Sequence, residues 1–167
     1  MRGSIVGLNF DTSIDSLATL YYAAMEFIAL QTRHIIETLG AGGHEVGSVF
    51  MAGGGMCRNE VLLGLLANAT GRAVVVPEYV DKAVVVGAAM LGVKAASADG
   101  GGRTVGLWEV MRGMAKRGRV VCPEAEGGRE GRLLDVKYRV YLRMGEEQRR
   151  YREMVKEEMG EWEGESE

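Results

Sequence analysis

The segment "FMAGGGMCRNE", residues 50–60, constrains this chain more than any other stretch. A short apolar, β-branched run, "EVGSVFM", leads into it, and a helical pattern leads out. Glycine loses more backbone freedom on folding than any other residue, so three in a row at such a junction need a reason. Either the turn is simply tight, or something must lie very close to the main chain. The outgoing helix begins near Asn59, has Val61, Leu62, Leu65, Leu66 and Ala69 as its apolar positions, and ends at Thr70-Gly71. "AVVVP" then reads as a second strand closed by Pro77, and Asp81 as the N-cap of a third helix, "KAVVVGAAMLGVKAASA". Strand, helix, strand, helix with short connections predicts parallel strands joined by a right-handed crossover. The glycines then stand at the carboxyl end of a strand, where open α/β sheets bind ligands.

Upstream, "GSIVGLNF" (residues 3–10) reads as a short strand. Ser13 is placed to cap a helix over residues 14–39, with Asp15 and Ser16 in its first turn. Its predicted buried stripe is Ile14, Leu17, Tyr21, Met25, Ile28, Thr32, Ile35 and Leu39, at steps of three and four. Gly40 is the expected stop. Downstream, "TVGLWEVMRGMAK" predicts a short helix, "RVVCP" an extended piece and "EAEGGREG" a linker. A long charged helix follows from Leu133 to Met159, with Leu134, Tyr138, Tyr141, Met144, Gln148, Tyr151, Val155 and Met159 as its stripe. Residues 1–160 thus form one domain, and residues 161–167 an acidic, disordered tail.

Composition removes several function classes. A net charge of −3 argues against a nucleic-acid partner. No apolar run approaches the length of a membrane span. Cys57 and Cys122 form neither metal spacing nor a disulfide framework, which points to a reducing, cytoplasmic setting. Two phosphate motifs also fail. A P-loop needs a lysine and a hydroxyl after its last glycine, and here Met56-Cys57 follow. The dinucleotide fingerprint needs a third glycine at position 58, which is arginine. What remains is a bare turn on a helix N-terminus, whose free N–H groups suit an anion or a polar ring edge. Asn59 carries both a donor and an acceptor and can read an adenine edge, or can serve as an ordinary early-turn residue. Of the other polar candidates, Asp11 suits loop or cap duty, and His34 and His44 suit the surface or an interface. Cys57 suits a buried small hydrophobe, and Tyr21, Tyr22, Trp108 and Tyr141 suit packing.

Four pieces, in order, resemble the C-terminal part of the FGGY family of carbohydrate kinases. They are "RGSIVGLNFDTSIDSLATLYYAAMEFIALQTRHIIE", "FMAGGGMCRNEVLLGLLANATGRAVVVP", "DKAVVVGAAMLG" and "DVKYRVYLRMGEEQRRYREMV". The details look most like the pentulose kinase branch, the D-ribulokinase-like proteins. The resemblance implies an α/β chain forming part of an actin-like, ribonuclease H-like ATPase fold, with the nucleotide in a cleft between two domains. It implies that Gly53, Gly54, Gly55 and Asn59 contact the adenosine part of ATP, and that the helix carrying Gly87, Ala88 and Ala89 packs beside them. It further implies ATP, Mg2+ and a small sugar as ligands of the intact enzyme, with no catalytic or metal residue in this chain. The family's catalytic aspartate and phosphate-gripping hairpins find no match, so the expectation is an incomplete kinase, inactive alone, that supplies the adenosine half of the site. The alternative, from another class, is a non-catalytic remnant acting in protein association. The sequence leaves open which sugar is used and whether the chain is oligomeric.

Overall fold

Residues Ile14–Ala41 form the first helix, α1, because Ser13 caps it: its Oγ accepts the Ser16 N–H at 3.2 Å. The computed structural model describes residues 5–99, 105–125 and 128–164. After α1 come strand β1 (Ser48–Phe50), helix α2 (Glu60–Thr70), strand β2 (Ala73–Val76), helices α3 (Ala83–Asp99) and α4 (Leu107–Met114), strand β3 (Arg119–Val121) and helix α5 (Arg129–Gly164). The sheet order is β1-β2-β3. β1 and β2 pair in parallel, with Ser48 opposite Ala73, as the strand–helix–strand reading requires. β3 joins β2 antiparallel, with Val74 opposite Val121, so the small sheet is mixed. The class is α/β, as expected.

The core is built around α2. Leu62, Leu63, Leu65, Leu66, Ala67 and Ala69 are all buried, and the helix packs against α1, α5 and the sheet. A helix that is apolar nearly all round must be covered on nearly all sides. Gly71 ends it in the left-handed region at φ 63°, and its N–H returns to the Ala67 carbonyl at 2.9 Å. Met25, Ala29 and Leu30 of α1, Val74 and Val76 of β2, Leu134 and Tyr138 of α5, and Cys57 complete the cluster. Each large side chain buried there stabilises the fold by about 1.5–3 kcal/mol.

Several expectations need correction. Ile5–Phe10 is not a strand: Gly7 takes φ 90°, which interrupts an extended run, and no strand among the described residues lies beside it. Residues 3 and 4 of that reading lie outside the described residues. Gly40 does not stop α1; the helix runs one residue past it and is capped at Gly42. The predicted stripe of α1 is mostly in solvent. Ile14, Leu17, Tyr21, Ile28, Ile35 and Leu39 are exposed, and Met25 alone of the eight is buried. The packing face is centred roughly a quarter turn away at 3.6 residues per turn, where Met25, Ala29, Leu30 and Arg33 meet α2 and α5. β1 is half-buried rather than buried, and Phe50 at its end is exposed, because β1 is the sheet's edge. α5 starts at Arg129, four residues before Leu133. It continues to Gly164, so residues 161–164 are helical; residues 165–167 lie outside the described residues.

α5 is fastened to α1 by side chains from both helices. Arg33 bonds Asp135 through Nη1 at 2.6 Å and Glu37 through Nε at 2.8 Å. Its guanidinium lies 4.4 Å from the Tyr138 ring centroid. Tyr138 and Tyr141 stack at 6.1 Å, and His34 Nδ1 sits 3.1 Å from the Tyr138 hydroxyl. His34 is thus an interface residue, as its sequence position suggested. Glu26 and Lys137 pair further along the same seam.

Candidate nucleotide site

The turns that follow β1 and β2 meet at the carboxyl end of the parallel pair. The Met51 N–H reaches the Val75 carbonyl at 2.9 Å and closes the ladder. Gly53 then turns the chain at φ 95°, a conformation that a side chain disfavours strongly. Its N–H donates to the Val80 carbonyl at 3.3 Å, which ties the first turn to the second. Its own carbonyl accepts the Cys57 thiol at 3.0 Å. Cys57 is buried in the core, so the turn is anchored from beneath. This matches the reading of Cys57 as a small hydrophobe.

A short 3-10 turn, Gly55–Arg58, leads into α2. Asn59 is the helix N-cap: its Oδ1 accepts the N–H groups of Val61 at 3.1 Å and Leu62 at 3.2 Å. Its Nδ2 donates to the Tyr21 hydroxyl at 3.1 Å and to the Met25 sulfur at 3.2 Å. Both acceptor directions and both donor protons of the amide are therefore engaged within the protein. Arg58, the residue before it, forms an ion pair with Asp81 across the two turns. Asp81 is not the cap of α3. It lies inside a second 3-10 turn, Val80–Lys82, which precedes the helix, and the arginine draws its carboxylate toward the first turn.

Gly53, Gly54, Gly55 and Asn59 thus stand in one turn, as the sequence placed them. Their surroundings differ in kind. Gly53 is required by its backbone angle, whereas a Cβ on Gly54 or Gly55 would meet no atom within 4 Å. The outer face of the turn is bare main chain, open to whatever approaches it. α3 packs against α4 and the Val80–Lys82 turn; Gly87 is half-buried and Ala88 and Ala89 are exposed. Asp11 accepts from Ser13 N and Oγ, both at 2.9 Å, which holds its carboxyl below the usual range and fixes the entry to α1. That is the loop duty expected of it. His44 is an exposed loop residue. Trp108, expected to pack, is largely exposed.

Sequence reasoning missed two contacts of this arrangement. Tyr21 stands 38 positions from Asn59 and carries no local signal for the contact. Arg58 and Asp81 are 23 positions apart, and opposite charges at the crests of successive turns were the available clue. No group of three His, Cys, Asp or Glu able to hold a metal ion occurs among the described residues. No helix of the described residues is long and apolar enough to cross a membrane.

Comparison with known proteins places this geometry in context. The C-terminal domain of the FGGY family of carbohydrate kinases matches residues 1–96. A D-ribulokinase of Saccharomyces cerevisiae is 52% identical over 95 residues, covering 57% of this chain and 13% of the relative. An FGGY carbohydrate kinase domain-containing protein of Xenopus laevis is 37% identical over 155 residues, covering 93% of this chain and 26% of the relative. Among solved structures, the xylulose kinase from Rhodospirillum rubrum superposes with a TM-score of 0.65 at 25% identity, covering 90% of this chain and 28% of that one. The chain spans between 13% and 28% of the length of these three proteins.

Proposed function

Since this chain belongs to the FGGY family of carbohydrate kinases, as its C-terminal domain, we propose that it supplies the adenosine-binding half of an ATP-dependent sugar kinase whose substrate is a pentulose such as D-ribulose. The observation that carries the reading is the bare main chain at Gly54 and Gly55, at the carboxyl end of the parallel strands. The protein's own structure asks for glycine at 53 through its backbone angle and does not ask for it at 55, where a Cβ would meet open space. A flat base or a ribose lying on the turn does ask for it at 55. Phosphoryl transfer is mostly positioning and charge neutralisation. In this division of labour the chain fixes the nucleoside end, and the sugar hydroxyl, its base and the phosphate-binding groups lie elsewhere in the intact enzyme. ATP is the cofactor of that enzyme and Mg2+ accompanies it; the chain's own contribution is to bind and orient the nucleoside.

Gly55→Ala separates a ligand role from a structural one. Position 55 is in a 3-10 turn and its Cβ has free space, so the folded chain keeps or gains stability, by about 0.4–1 kcal/mol. Binding of adenosine, read by calorimetric titration, drops sharply because the methyl group occupies the face on which the nucleoside rests. Unchanged binding in this variant would overturn the reading. Incubated with ATP, Mg2+ and D-ribulose, the chain alone shows no turnover, and sustained phosphorylation would show that more of the catalytic machinery is present than proposed.

A second reading is favoured by the apolar face of α1, where Ile14, Leu17, Ile28, Ile35 and Leu39 point to solvent. A chain retained only for association would use that face and bind no nucleoside, so the same titration distinguishes the two readings.

A further inference from the structure

We propose that α5 is a homodimerisation helix: its outer face pairs antiparallel with the same helix of a second copy of this chain. The inference is independent of the nucleotide reading and rests on burial and charge along α5. This helix has two apolar sides. Leu134 and Tyr138 are buried in the core, with Tyr141 and Leu142 packed beside them. Past Leu142, as far as Met159, every side chain except Gln148 is exposed. That is about 25 Å of helix at 1.5 Å per residue. A second apolar line, on a different side, runs through Val140, Met144, Tyr151 and Val155, at steps of four and seven, with Met154 beside it. These side chains are 39–58% exposed. Helices owe most of their stability to the packing of such a face, and this one finds no packing among the described residues.

Charge indicates the occupant. Arg139, Arg143, Arg149, Arg150 and Arg152 make the middle of α5 basic, against Glu146 and Glu147. Glu153, Glu157 and Glu158 then turn it acidic, against Lys156, and the last turn holds no basic residue to face its free carbonyls. At about 100° per residue, Arg139, Arg143, Glu157 and Glu158 fall on one flank of the apolar line. Two such helices side by side in parallel would set like charge against like. Turned antiparallel about a two-fold axis, the flank meets its own reverse. Arg139 and Arg143 of one copy then lie beside Glu157 and Glu158 of the other, and Met144 lies near Val155. The same arrangement brings arginines to the carboxyl end of the helix, where a cation is favoured. The surface is thus complementary to itself, which is what a two-fold contact requires.

A charge swap tests the pairing. In one variant, Arg139→Glu with Arg143→Glu makes both ends of the contact acidic. In the other, Glu157→Arg with Glu158→Arg makes both ends basic. None of these residues belongs to the ion pairs that hold α5 to α1, Arg33–Asp135 and Glu26–Lys137, so the fold is kept, which thermal unfolding at high dilution checks. Sedimentation equilibrium of the full chain is expected to show a wild-type dimer, weakened by added salt. Each variant alone has a dissociation constant raised by about tenfold or more, because like charges now face each other. Mixed in equal amounts, the two variants pair again with near wild-type affinity. The outer face of α1 is the same in all three proteins, so differences among them report on α5. A monomeric wild type would overturn the proposal and leave the apolar line to a different polypeptide. Variants that associate like wild type, or a mixture that stays monomeric, would overturn the antiparallel pairing.

Discussion

Tyr138 shows how much one side chain can join. It is 5% exposed, carries the Arg33 guanidinium on its face and holds His34 at its hydroxyl. Burial, followed by the nearby Glu37 carboxylate, pushes its pKa up from 10.0 to about 12. A phenol whose folded pKa lies above the unfolded one favours the native state while it is protonated. Its contribution is complete below pH 10 and is lost as pH rises toward 12. Wild type should therefore lose stability against urea over that window. Tyr138→Phe, which cannot ionise, should show a smaller loss over the same range. Parallel pH profiles would refute the assignment. None of this was visible in the sequence, where Tyr138 was one member of a helical stripe. Periodicity reports that a side chain faces inward, but not what meets it there. The same holds for Asn59. The residue type and the glycines before it announced a helix start, and its cap bonds follow from that. Its bond to Tyr21 depends on how α1 lies against α2, which no local pattern contains.

Among the elements, α2 was the most legible and α1 the least, for the same physical reason. α2 has apolar residues on almost every side, so most packing directions bury most of them; its limits were read closely, although Val61 of the expected apolar set is exposed and Leu63 and Ala67, outside that set, are fully buried. Glycines at one end and Gly71 at the other marked its limits. α1 has two apolar faces that share Met25, and spacing alone cannot say which one the core takes. The core takes the face with Ala29, whose small side chain lets α1 approach α2 closely, together with Leu30 and the polar groups that bind α5. Burial should separate neighbours on α2 by energy. Leu63 is fully buried, and Leu63→Ala should cost about 2–5 kcal/mol. Val61 is 49% exposed, and Val61→Ala should cost no more than about 0.5 kcal/mol. Urea midpoints for the pair check this, and similar shifts would mean that α2 is not the centre of the core. The parallel pairing of β1 and β2 was legible because a short helical crossover admits little else. The antiparallel arrival of β3 was not, since an extended piece of three residues carries no directional signal.

For the whole molecule, the described residues leave much apolar surface uncovered. β1 has a partner on one side only. Val84 and Val85 of α3 are 87% and 69% exposed, and Phe10 is fully exposed. Surfaces of this kind mark places where another polypeptide packs. Uncovered strand edges and apolar faces follow from a sheet of three short strands, too small to cover its own helices. Leu17→Lys with Ile35→Glu alters two positions on the outer face of α1, which are 66% and 54% exposed. The pair should leave the unfolding midpoint nearly unchanged and reduce self-association, measured by light scattering. A large fall in the midpoint would show that this face is packed after all. The stripe also bears on the chain's fate in a crowded cell. To a chaperone, a helix presenting leucine and isoleucine along one side is indistinguishable from unfinished synthesis. How long such a chain survives would then be decided by a race, between arrival of a complementary surface and capture for degradation.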